Sequence, residues 1–136
     1  MFSLEIKVGR LAEVRLVVPI SMKDIEGIRA AVSQLFQQQP GKLVFVTDMT
    51  RATIFTPAEA MRVVEVFKAD NPRVELSVFL LNHGISFHHQ LERLISQAGN
   101  PARRCFHDRD ELKTFLRPTL TQEEQDRLAQ FFSQRP

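Results

Sequence analysis

KLVFVTDMTRATIFTPAEAMRVVEVFKAD, residues 42–70, reads as a buried strand, a short polar loop and a helix. Leu43, Val44, Phe45 and Val46 form a continuous apolar run, as expected of a central strand covered on both faces. Thr56-Pro57-Ala58-Glu59 then spells a helix start. Thr56 caps, Pro57 sits where a missing N–H costs nothing, and Glu59 completes a capping box. Ala60, Val63, Val64 and Phe67 supply the inner stripe, and Asn71-Pro72 ends the helix.

Upstream, Phe2, Leu4, Ile6 and Val8 alternate with polar residues, the period-two signature of a half-buried strand. Gly9-Arg10 turns the chain, and residues 11–18, LAEVRLVV, give a second strand ending at Pro19. Ser21 with Asp24 caps an amphipathic helix over 22–38, carrying Ile25, Ile28, Val32, Leu35 and Phe36 and stopped by Pro40-Gly41.

Downstream, VELSVFLL at 74–81 is a strand, and Asn82-His83-Gly84 a turn. A helix over roughly 86–98 ends at Gly99, and residues 102–107 make a short last strand. Asp108 with Glu111 caps a short helix stopped at Pro118. Thr121 with Glu124 opens a C-terminal helix bearing Leu128, Phe131 and Phe132. The order is β-β-α-β-α-β-α-β-α-α. This is an α/β class with a mixed, mostly parallel five-stranded sheet and an opening antiparallel hairpin. Residues 1–118 form the domain. Residues 119–136 form a helix whose single apolar stripe packs on that domain or on a partner subunit, with Phe131-Phe132 a candidate homodimer patch.

At 136 residues the chain can bury one substantial core. The net charge is only +2 despite a pI near 9.0, and no Lys/Arg cluster exceeds the pair Arg103-Arg104. Nucleic-acid binding therefore lacks its usual electrostatic footprint. A lone cysteine, Cys105, and an N-terminus MFSLEIK that is neither signal peptide nor membrane span make a cytoplasmic location the expectation.

In element order and in the stretch VFVTDMTRATIFTPAEA, with RRCFHDRDELKTFL closing the domain, the chain resembles the STAS domain family. That is the fold of bacterial anti-sigma-factor antagonists and of the cytoplasmic tails of sulfate transporters. The resemblance covers essentially residues 2–117. It implies a non-catalytic module that binds another regulatory protein in bacterial signalling. The family's helix opens at Asp-Ser-Ser-Gly, with a serine that kinases phosphorylate. Here Pro57 or Ala58 stands at that place, leaving Thr56 as the nearby hydroxyl for phosphorylation. Helix and strand order also echo lipid-binding SEC14-type domains, which implies the alternative: a binding domain for a small apolar or anionic ligand, lipid or nucleotide.

The residues themselves offer little chemistry. His88 and His89 are adjacent on a helix and point about 100° apart, so they do not serve one ion. His83 joins His88 only if the loop folds back, and Cys105 reads as an inward-facing structural thiol. The chain has no GxGxxG, P-loop or nucleophile elbow and none of a receiver's acidic pair, so no catalytic residue, metal or cofactor is expected. The loop Asp48–Thr56 stands apart. In open α/β sheets binding sites gather at the carboxyl ends of strands. Asp48, Thr50, Arg51, Thr53 and Thr56, extended by Glu59 and Arg62 on the helix, are the candidate partner-binding residues. The competing reading is a capped connection in which Ile54 and Phe55 plug the core, Phe55 as a hydrophobic staple.

Overall fold

A computed structural model describes residues 1–134. The expected order is present: β1 (Phe2–Ile6), β2 (Leu11–Val17), α1 (Met22–Gln38), β3 (Leu43–Arg51), α2 (Pro57–Asp70), β4 (Val74–Leu81), α3 (Ile85–Ala98), β5 (Arg103–Phe106), α4 (Arg109–Leu116) and α5 (Gln122–Ser133). The strands form one five-stranded sheet in the order β1-β2-β3-β4-β5, with β3 at its centre. The β1–β2 pair is antiparallel and the others parallel.

Each parallel crossover steps to the next strand in the same direction. Right-handed connections therefore lay α1, α2 and α3 on one face of the sheet. There Ile25, Val32, Val63, Val66, Leu91 and Leu94 pack on Ala12, Val14, Phe45 and Phe79. The other face presents Leu11, Val44, Val46 and Val78. It is covered by α4 and α5 of the same chain, through Leu112, Leu116, Leu128, Phe131 and Phe132. The C-terminal helix thus packs on its own domain. Phe131 and Phe132 are buried there, which removes the exposed patch on which dimerisation through this helix was expected. Residues 135–136 of the 119–136 segment lie outside the described residues.

Polar ties fix this second layer. The Gly9-Arg10 turn brings the Arg10 amide to Glu124, whose buried Oε2 accepts at 2.9 Å while Oε1 accepts from the Thr121 amide at 2.9 Å. Gly9 has φ +59°, and a Cβ there would lie 2.4 Å from Glu124 Oε2, so both backbone and neighbour require glycine.

Between the sheet and α2, Asp70 and Arg103 are buried polar residues in an apolar layer. Burial pushes the Asp70 carboxyl up to about 6 despite Arg29 and Arg103, and pulls the Arg103 guanidinium down to about 10. Asp70 therefore costs stability when ionised. Below its unfolded pKa of 3.8 both states are protonated. Between 3.8 and about 6 only the unfolded chain has lost the proton, so native stability falls as pH rises through that window. Above it the loss is complete, on the order of 2–3 kcal/mol. We expect Asp70→Asn to escape it. Urea unfolding at pH 4 and pH 7 should show the variant gaining on wild type by that amount at the higher pH. An equal difference at both pH values would contradict this ionisation.

Candidate functional site

The carboxyl end of the parallel strands is built from the ends of β2, β3, β4 and β5 and the starts of α1, α2 and α3. Strand β3 runs past the expected end at Thr47 because both neighbours reach as far: Asp48 and Met49 register with Leu80 and Leu81, and Val17 with Arg51. The β3–α2 loop shrinks accordingly to residues 52–56.

This moves Asp48. Its side chain lies on the α5 face of the sheet, where Oδ2 accepts from Arg15 at 3.0 Å and Oδ1 from the Thr50 amide and hydroxyl at 3.0 and 2.7 Å. Arg15 in turn stacks on the Phe131 ring and donates to the Phe131 carbonyl. Asp48 is thus a half-buried joint between β3 and the C-terminal helix, and its contacts lie within β2, β3 and α5 rather than in loop 52–56. Both of its carboxylate oxygens are therefore already engaged within the domain.

The loop itself divides its two apolar residues. Phe55 is 5% exposed and Ile54 57% exposed. Phe55 is clamped by Gln90 of α3, whose Oε1 accepts from the Phe55 amide at 2.8 Å while Nε2 donates to its carbonyl at 2.9 Å. Its ring meets Phe87 edge-on at 5.6 Å. The plug is real, and its ring partner comes from α3. Asn82 adds a further tie, donating to the Thr50 carbonyl at 3.1 Å. A loop so anchored presents Arg51, Thr53, Ile54 and Thr56 to solvent on a fixed backbone.

Thr56 and Glu59 form the expected capping box, Oγ1 accepting from the Glu59 amide at 3.2 Å and the carboxylate accepting from the Thr56 amide at 3.0 Å. Such a cap contributes about 1 kcal/mol. Arg62 holds Glu26 of α1 through three bonds of 2.7–3.1 Å and Glu65 at 3.0 Å, joining α1 to α2. Glu59 and Arg62 therefore border the exposed loop with their charges already engaged.

Three histidines also converge here. His88 Nδ1 lies 2.7 Å from His107 Nε2, and His107 Nδ1 lies 2.8 Å from the Asn82 carbonyl. A carbonyl only accepts, so His107 carries its proton on Nδ1 and a neutral His107 takes the His88 Nδ1–H on Nε2. His83 stacks on His107 at 5.8 Å. The turn does fold back, but onto β5 through His107. Among the described residues no group of three or more His, Cys, Asp or Glu is arranged to hold a metal ion. Cys105 is half-buried, and burial pushes its thiol up to about 12, far from a working thiolate.

The most distinctive property of this end is apolar. The exposed large hydrophobic residues among those described are Met1, Val18, Met22, Ile54, Met61 and Ile85. Met1 and Val18 flank the carboxyl end of β2, and Ile54 follows β3. Met22 and Ile85 open α1 and α3, and Met61 lies in the second turn of α2. None belongs to the loops at the opposite end. No helix among the described residues is long and apolar enough to cross a membrane.

Compared with family models, with curated proteins and with solved structures, the chain has no match in any of the three.

Sequence reading located the loop and its cap but missed the gathering of His83, His88 and His107 and the pairing of Asp48 with Arg15. The one available signal for the latter was in LAEVRLVV. Glu13 and Arg15 alternate there with Ala12, Val14 and Leu16, so one strand face carries charges that need partners.

Proposed function

We propose that this domain is a non-catalytic, STAS-like interaction module of bacterial signalling or regulation, working in the cytoplasm through contact with another regulatory protein. The observation that carries this reading is the placement of Ile54, Ile85, Val18, Met22, Met61 and Met1 at one end of a fold whose other loops, among the described residues, expose no large apolar side chain. Apolar side chains grouped on a polar-rimmed surface are the mark of a contact site. The rim here is Arg51, Thr53 and Thr56, with Glu59 and Arg62 alongside, and it carries both signs of charge, which suits a protein partner. Support for a passive chemistry comes from the half-buried, poorly ionised Cys105 and from histidines that hydrogen-bond one another and the Asn82 carbonyl. Thr56 is the hydroxyl through which a kinase would act. A phosphate there would sit at the positive end of the α2 dipole and add charge to the contact face.

The test is site-specific photo-crosslinking from position 53 in the native cell, with Ile54→Asp plus Ile85→Asp as the disrupting variant. Both residues are exposed, so the thermal midpoint should stay close to wild type. We expect a discrete cross-linked partner that disappears in the double variant. Unchanged cross-linking would remove this face from consideration.

A further inference from the structure

All four histidines of the chain line one open pocket of about 220 Å³, joined in its wall by Ile85. No lysine or arginine is among the lining residues, so no fixed positive charge shares that wall. His83 sits in the turn after β4, His88 and His89 near the start of α3, and His107 directly after β5. At the centre is a pair. His88 Nδ1 and His107 Nε2 lie 2.7 Å apart, with the two ring planes 16° from parallel.

The outer nitrogens of that pair both face oxygen acceptors. His107 Nδ1 is 2.8 Å from the Asn82 carbonyl, and His88 Nε2 is 3.5 Å from Glu92 Oε1, one helical turn along α3. Three positions therefore favour a proton: one at each outer nitrogen and one in the gap between the rings. Two neutral imidazoles carry only two. With one on His107 Nδ1 and one in the gap, the Glu92 carboxylate faces the bare lone pair of His88 Nε2. With both on the outer nitrogens, two lone pairs face each other across the gap. A cation held by the inner nitrogens removes the shortfall, because both rings then keep their outer protons for the carbonyl and the carboxylate. Metal-bound histidines in general share this arrangement: the ligating imidazole gives its other N–H to a backbone carbonyl or a carboxylate, which fixes the tautomer and raises its basicity.

We propose that His88 Nδ1 and His107 Nε2 bind a divalent transition metal ion of the kind that prefers imidazole, with zinc as the type case. Zinc bonds nitrogen at about 2.0–2.1 Å in a tetrahedral shell, which sets two such ligands about 3.3 Å apart. The inner nitrogens open from 2.7 Å by about 0.6 Å to reach that geometry, and the rings swing toward a common centre. His107 is exposed and His88 half-buried, so side-chain rotation alone allows it. Two protein ligands are fewer than the three or four of permanent zinc sites, and the open pocket leaves the remaining positions to water. The site is therefore reversible. It ties the start of α3 to the end of β5, and it does not rest on the contact-face reading.

Zinc chloride titrated near neutral pH into nitrogen-15-labelled full-length protein tests this by NMR of the ring nitrogens. The His88 Nδ1 and His107 Nε2 signals should move together and saturate at one ion per chain, while the outer nitrogens stay protonated. Loss of an outer partner alone costs roughly 10–100-fold in metal affinity, so His88→Ala and His107→Ala should each weaken binding at least about tenfold. His89→Ala should leave it nearly unchanged, because adjacent helical residues point about 100° apart. Wild-type ring nitrogens that ignore zinc would overturn the proposal and leave a proton as the only species shared across the gap. Coordination through the outer nitrogens, or an equal loss in His89→Ala, would overturn it as well. So would a doubled sedimenting mass with zinc, the mark of an ion bridging two chains through surface histidines.

Discussion

Arg127→Ala should cost about 3–5 kcal/mol of stability, the penalty for removing one partner of a buried ion pair. Glu13 of β2 is 3% exposed and Arg127 of α5 is 7% exposed. The guanidinium meets the carboxylate side-on, Nε to Oε2 at 2.6 Å and Nη2 to Oε1 at 2.7 Å. Gln130 and Gln134 accept two of the three remaining protons at 3.2 and 3.3 Å. Truncating Arg127 leaves the Glu13 carboxylate under a helix with neither charge partner nor water, and that uncompensated charge is the source of the cost. The attraction itself is a smaller quantity, because bringing both ions out of water offsets most of it. The replacement Glu13→Leu plus Arg127→Met should therefore lie far closer to wild type than Arg127→Ala does. Urea denaturation of the two variants measures both. An Arg127→Ala loss below about 1 kcal/mol would mean that water reaches Glu13 and the pair is not dry.

That pair also marks where sequence reading reached its limit. Caps, turns and strand alternation are decided within a few residues. Ser21 with Asp24, Thr56 with Glu59 and Thr121 with Glu124 accordingly form the expected boxes. The mostly parallel sense of the sheet follows from the same local pattern, because helices between successive strands favour parallel crossovers. What was not legible depends on partners far away in the chain. Asp48 ends an apolar run and looks like a loop residue, yet Arg15, some thirty residues earlier, draws it to the opposite face. His107 and His88 meet only because β5 lies beside β4 and α3 returns over them. Phe131 and Phe132 look like a sticky patch only while the face they cover is unknown. The sequence placed its candidate site at the carboxyl end of β3. The tertiary arrangement brings the exposed Ile85 and Met22 from other helices to the same end and pairs Asp48 with Arg15.

Truncation after Pro118 carries the largest expected effect, and it separates the two roles open to the C-terminal helix. Were the helix a dimerisation arm, the shortened chain would be a folded monomer. The packing leads to a different result. Leu120, Leu128, Phe131 and Phe132 are buried against a sheet face that presents Leu11, Val44 and Val46, each fully shielded from solvent in the intact chain. Burying four such side chains contributes about 6–12 kcal/mol. A whole domain of this size is stable by only about 5–15 kcal/mol. Truncation also strips the Arg127 charge from Glu13, the Phe131 ring from Arg15 and the Glu124 carboxylate from the Arg10 amide. Helix α4 remains over β4 and β5 but leaves the β2–β3 part of that face bare. We expect residues 1–118 to retain much of their helix and strand signal while losing cooperative thermal unfolding and binding a hydrophobic dye, a collapsed chain without a fixed core. Circular dichroism, dye fluorescence and sedimentation on the one sample decide it. A dye-silent monomer that melts near the wild-type midpoint would show that α5 is dispensable to the fold, and would reopen its role as an arm for a second subunit.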